Sequence, residues 1–155
     1  MSNIEYLDEL QRARGRSDVD ALQRVLAEYY EWHGAFARKR AGEEVDDSDL
    51  VIDPILHDAS DADRSLALVV LAMATYDDPL FLGLIAAGPL EDILSVHGDD
   101  ILARIVTEAR HTPRFRWMLS GVSLHSIKPE NVDAVAQAVR TMTIDGDALP
   151  PRPSI

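Results

Sequence analysis

The sequence predicts an all-α single domain, an irregular bundle of about seven to eight mostly short helices with no sheet. Three observations carry this. Apolar residues recur at three- and four-residue spacing along most of the chain. No segment sustains the period-two alternation of a half-buried strand. Helix starts and stops are dense between Gly83 and Val122, where Gly88-Pro89 and Thr112-Pro113 read as first helical turns and Gly98 and Gly121 as caps. At 155 residues such a chain buries roughly 70% of its unfolded surface, so the fold requires neither disulfide nor metal.

The elements follow in order. Ser2 with Glu5 forms a capping box ahead of Ile4, Leu7 and Leu10, a short amphipathic helix that Gly15 ends. Ser17 opens a second and longest helix, with Val19, Leu22, Leu26, Tyr29, Trp32 or His33, and Phe36 on one face. Arg38, Lys39 and Arg40 in its last turn suit the negative end of the helix dipole. From 41 to 60 the pattern gives way to an acidic loop containing Pro54, with room for one helical turn. Ser60 and Asp63 then read as the start of a helix whose Leu66, Leu68, Val69, Val70, Leu71 and Met73 leave almost no polar face, which makes it central and buried. Asp78-Pro79, Gly88-Pro89 and Asp99 or Asp100 begin three further helices, Pro113 a fourth and Pro129 the last. The domain is expected to span 1–143. Residues 144–155, with Pro150, Pro151 and Pro153, read as a flexible Pro-rich tail. No fixed period relates the helices, which argues against a repeat solenoid.

Charge narrows the partner. The formal net charge is −12, which disfavours nucleic acid, because phosphate contacts need clustered Lys and Arg. It favours a protein partner with a basic surface. Glu43, Glu44, Asp46, Asp47, Asp49, Asp53, Asp58, Asp61 and Asp63 fall in one segment with no Lys or Arg among them, and that segment carries much of the field. A solvated, solubilising loop is the plainer account of the same run. The longest apolar run, Leu66 to Ala74, is far below the roughly 20 residues that span a bilayer, so no membrane association is expected. The opening MSNIEYLDELQRARGR has no basic segment followed by an apolar one, and the absence of cysteine fits a reducing compartment. Both point to the cytoplasm. The oligomeric state is not readable from sequence.

Candidate chemistry is sparse, and neither a cofactor nor a metal is expected. His33, His57, His97, His111 and His125 include no pair at the one-turn spacing of a zinc site. His97 and His111 fall where helices end, positions favoured by the dipole. Asp53, His57 and Asp61 are four residues apart, but Pro54 and Ser60 interrupt the helix that would align them. Glu91 and Asp92 are the paired carboxylates of a structured motif, and in a first turn they compensate free amides before they perform acid–base work. Ser120-Gly121 lacks a nucleophile elbow. Arg110, Arg114 and Arg116 surround Phe115 and Trp117, an interleaving that could grip phosphates and bases but that, on so acidic a chain, suits internal ion pairs.

The residues AAGPLEDIL, His97-Gly98 and PRFRWMLSGV resemble the signature of a widespread bacterial family of uncharacterised small proteins that share a GPLEDLL…HG…DPRFR…L.GV core. The resemblance covers about Pro79 to Val122, with the preceding Leu66–Tyr76 helix at its edge. Thr112-Pro113 stands where the family has Asp-Pro, and Ser123 where it often has Trp. It implies fold boundaries and no activity.

Two functional classes are therefore carried forward. One is a non-enzymatic acidic interaction module, of the immunity or inhibitor type, that docks on a basic partner through Glu43, Glu44, Asp46, Asp47, Asp49, Asp53 and Asp58. The other is a small hydrolase or transferase with a site near Glu91, Asp92, His97, Arg110, Arg114 and Arg116. Their arrangement in space discriminates the two: a shared pocket favours catalysis, and dispersal as caps and pairs favours binding.

Overall fold

A computed structural model describes residues 16–51, 61–97 and 99–153. All of its regular elements are helical, and no strand occurs among the described residues. The expected first helix around Ser2–Leu10, together with Gly98, Asp53, His57 and Asp58, lies outside them.

Helix α1 (Arg16–Arg40) is the longest described element and ends on Arg38, Lys39 and Arg40. Its inward stripe buries Val19, Leu22, Leu26 and Tyr29, while Phe36, expected on the same face, reaches the edge and is exposed. A 3₁₀ turn, Asp47–Leu50, follows. Helix α2 (Ala62–Thr75) is the centre of the molecule, with every residue from Ser65 to Met73 buried. A helix hydrophobic all round must be surrounded, and this one is. Its N-cap is Asp61, whose carboxylate accepts from the Arg64 N–H, so the cap falls one residue later than the Ser60 expectation.

Helix α3 (Pro79–Ile85) starts as the sequence indicates, with Asp78 accepting from the N–H groups of Leu80 and Phe81. Gly88-Pro89 does not start a new helix. The chain continues through a π-helical segment, Ala86–Leu90, into α4 (Glu91–Val96), and the Glu91 N–H reaches back to the Ala86 carbonyl. The wider turn accommodates a ring that lacks a donor. Pro79–Val96 thereby forms one helical stretch long and apolar enough, by length and composition, to cross a membrane. In the fold Phe81, Leu82, Ile85, Ala86, Pro89, Leu90, Ile93 and Leu94 are buried against the rest of the bundle, which supplies a packing reason for that apolarity.

Helices α5 (Asp99–His111), α6 (Pro113–Leu119) and α7 (Val132–Val139) pack on one another and complete the core with Ile105, Ala109, Phe115, Trp117 and Val135. Thr112 precedes α6 without capping it. Its hydroxyl instead donates to the carboxylate of fully buried Glu108 at 2.6 Å. A 3₁₀ turn, Pro129–Asn131, leads into α7 and is held by the Asn131 amide donating to the Leu94 carbonyl. After α7, Arg140 turns the chain with φ 58°.

The C-terminal segment is docked on the domain, contrary to the expectation of a free tail. The Trp117 indole donates to the Asp147 carbonyl at 3.0 Å, Arg114 Nε to the Pro150 carbonyl at 2.8 Å, and Arg152 makes two bonds to Asp77. Ile144 and Leu149 pack against the core as well. Prolines lower the entropy of an extended segment, and its bare carbonyls are good acceptors.

Candidate acidic docking face

The acidic loop begins where α1 ends. Ala41 and Gly42 turn back on the last carbonyls of the helix, and Gly42 takes φ 87°, the left-handed position that glycine fills at a helix C-terminus. Asp46 then caps the 3₁₀ turn, accepting from both the N–H and the hydroxyl of Ser48 at 3.0 and 2.9 Å. Those bonds hold its carboxyl below the usual range. Glu43, Glu44, Asp47 and Asp49 are exposed; Glu43 has Arg38 Nε at 4.0 Å, and Lys39 lines a shallow recess together with Glu43, Glu44 and Asp47. The loop is anchored by the Trp32 indole, which donates to the Leu50 carbonyl at 2.8 Å.

This anchoring leaves a groove of about 500 Å³ between α1 and the turn. Glu28, Glu31, Ala35 and Arg38 form its helical wall, and Ser48, Asp49 and Val51 the other. The spacing 28, 31, 35, 38 is one helical stripe, next to the buried stripe and more polar than it. A second recess, of about 560 Å³, lies between Lys39 and the run from Glu43 to Asp47. Glu28 and Glu31 were not singled out from sequence. Their three-residue spacing was the available signal, but without the position of the loop it marked only a solvated helix face.

Above the groove Tyr30 stacks on Tyr76 with ring centroids 4.6 Å apart, and its hydroxyl donates to Asp78 Oδ2 at 3.2 Å. His33 Nε2 lies 3.9 Å from the same oxygen. Hydrogen bonding to Asp78 raises the Tyr30 pKa and desolvation raises that of Tyr76. Tyr29, on the buried side, is pushed up to about 12 by burial and then by the charge of Asp92.

Glu91, His97, Arg114 and Arg116 of the alternative site take separate structural tasks. Glu91 Oε2 accepts from the Ser123 N–H at 3.2 Å, closing a contact across the fold rather than compensating its own first turn. His97 is the C-cap of α4. Arg114 is 3% exposed, and its guanidinium donates to the carbonyls of Met73, Tyr76 and Pro150 and to Asp77 Oδ1 at 2.8 to 3.0 Å. Arg116 clips the carbonyls of Ala109 and Arg110 at the end of α5. Arg110 itself is exposed. The expected pairing of arginines with the chain's own carboxylates therefore holds for Arg114, whereas Arg116 uses backbone oxygens. No group of three or more metal-ligating side chains occurs among the described residues.

The class this defines is an acidic, all-helical single-domain protein. Residues 38–144, well over half of the chain, match the family of unknown function DUF6869, and the chain belongs to that family. The matched region runs from the last turn of α1 through the acidic loop and the helical core to the start of the docked C-terminal segment. No curated protein and no solved structure matches the chain.

Proposed function

We propose that the protein is a non-enzymatic interaction module of the immunity or inhibitor type, acting in a bacterial cytoplasm, whose acidic face docks on a basic protein partner. The observation that carries this reading is the exposure of Glu43, Glu44, Asp47 and Asp49 on and just before an anchored turn, where these acids outnumber Arg38 and Lys39, the two cations that line the adjoining recesses. A run that served only solubility has no need of an indole and a cap to fix its shape. A patch of predominantly one sign steers an oppositely charged partner and fixes its register. Supporting the binding reading over a small hydrolase or transferase is the use made of Glu91 and Arg114, whose polar atoms hold backbone groups in different parts of the fold.

The test is affinity capture from cells with the native chain and with a variant carrying Glu44→Lys, Asp47→Lys and Asp49→Lys. Asp46 is left alone because it shapes the turn. The reading expects a basic protein, identified by mass spectrometry, that the native chain retains and the reversed chain loses. Equal recovery by both would refute it.

A further inference from the structure

We propose that the groove between α1 and the 3₁₀ turn is the recognition subsite of the acidic face and that it takes an extended, arginine-bearing segment of the basic partner. The inference rests on the docking role proposed for that face and adds where the contact is made and with what chemistry.

The groove runs along the exposed side of α1. From Glu28 to Arg38 the helical wall runs about 15 Å at 1.5 Å per residue, the length of four or five extended residues. Its volume of about 500 Å³ falls in the range of pockets that enclose ligands. Its lining is mixed. Glu28 and Glu31 are neighbours on one turn, with Cβ atoms about 5–6 Å apart, and Asp49 lines the same groove. Arg38 reaches back along the wall, its Nη1 3.6 Å from where a Cβ on Gly34 would lie, and its Nε is 4.0 Å from Glu43, so an incoming cation is expected to seat at the Glu28 and Glu31 end. The lining also includes buried Ala35, the half-buried Trp32 ring, and Val51, which is 76% exposed. An apolar surface flanked by carboxylates matches a side chain with an aliphatic stem and a cationic head. Arginine fits better than lysine, because its planar fork can bond two carboxylates at once.

The probes are three acetylated peptides of about seven residues that alternate Val or Ala with Arg, with Lys or with Glu, titrated into the full chain and followed by amide and indole NMR shifts. The Arg peptide is expected to shift the Trp32 indole and the Gly34 and Ala35 amides. The Lys peptide should bind several-fold more weakly, and the Glu peptide should not bind. Glu28→Gln with Glu31→Gln, both exposed and so harmless to the fold, is expected to weaken the Arg peptide by about tenfold, whereas Glu44→Gln with Asp47→Asn should change it by less than about threefold. Absence of shifts around Trp32, or equal binding of the Arg and Glu peptides, would overturn the groove assignment while the capture experiment continued to test the acidic face by itself. Binding abolished by Glu44→Gln with Asp47→Asn but indifferent to Glu28→Gln with Glu31→Gln would also overturn it, by placing the contact on the loop.

Discussion

The Trp32 indole donates to the Leu50 carbonyl at 2.8 Å, and this bond positions the acidic face together with the Glu43 N–H bond to the Arg38 carbonyl at 3.1 Å. Trp32 also packs between Tyr29 and Phe36, with ring centroids 5.5 and 5.0 Å away. The donor is thus held in place by aromatic contacts, and the loop is held by the donor.

Trp32→Phe keeps most of the ring packing and removes the donor. A net hydrogen bond of this kind contributes about 1 kcal/mol, so chemical denaturation should show a loss of about that size. Amide shifts of residues 47–51 should change more than those of the core. Unaltered loop shifts would show that the anchor is dispensable.

Arg114 carries a larger share of the stability. Its guanidinium ties the end of α2 to Asp77 and to the C-terminal segment at Pro150. Arg114→Met leaves those carbonyls without their donor and should cost about 3 kcal/mol or more. Arg114→Lys should recover only part of the loss, since a single ammonium cannot reach all four acceptors. A denaturation midpoint unchanged in both variants would contradict the structural role.

Two groups set opposite ends of the pH profile. Hydrogen bonds from Arg152 and Arg114 hold Asp77 below the usual carboxylate range. A depressed folded value contributes stability that is present above the unfolded pKa of about 3.9 and lost as pH falls below it. Asp77→Asn should therefore flatten the acid limb below about pH 4. Tyr29 is raised to about 12, chiefly by burial and then by Asp92. A neutral phenol favoured by folding contributes below the unfolded value of about 10, and that contribution disappears as pH climbs from there towards 12. Tyr29→Phe should remove this alkaline loss, and an identical limb in the variant would count against the burial argument.

The two motif glycines separate cleanly. A Cβ on Gly88 would lie 3.7 Å from the Tyr29 hydroxyl, an ordinary contact, and the helix propensity gained by Gly88→Ala is offset by the crowding of a Cβ directly before Pro89, so that variant should change stability by less than about 1 kcal/mol. A Cβ on Gly121 would lie 2.7 Å from Ile144 Cδ1 and 3.2 Å from the Met118 carbonyl. The isoleucine end can move, but the backbone oxygen cannot easily follow. Gly121→Val should destabilise by more than about 1 kcal/mol, and thermal melts that ranked the two variants the other way would contradict the packing described.

Helix identity was legible wherever apolar residues and caps coincide. Leu66 to Met73 announces a surrounded helix, and Asp78-Pro79 announces a start. Gly88-Pro89 misled, because a proline reads as a first turn although a π-helical segment carries it inside continuous helix. Glu91 misled for a different reason: its partner, the Ser123 N–H, is a backbone group, and every residue but proline has one. The same limitation hid the docking of the C-terminal segment, where Trp117 and Arg114 bond the carbonyls of Asp147 and Pro150. Of the candidate site, the acidic run was visible as composition. The groove beside it was not, since it depends on where Trp32 holds the turn.

The most direct test of the acidic docking face is the rate at which a captured basic partner associates with the chain as ionic strength rises from about 50 to about 500 mM, a range over which the Debye length shrinks from about 14 to about 4 Å. The account predicts that the association rate falls by at least about tenfold while dissociation changes little, and that Glu44→Lys, Asp47→Lys and Asp49→Lys together lower the low-salt rate to the high-salt value. An association rate indifferent to both salt and charge reversal would contradict it.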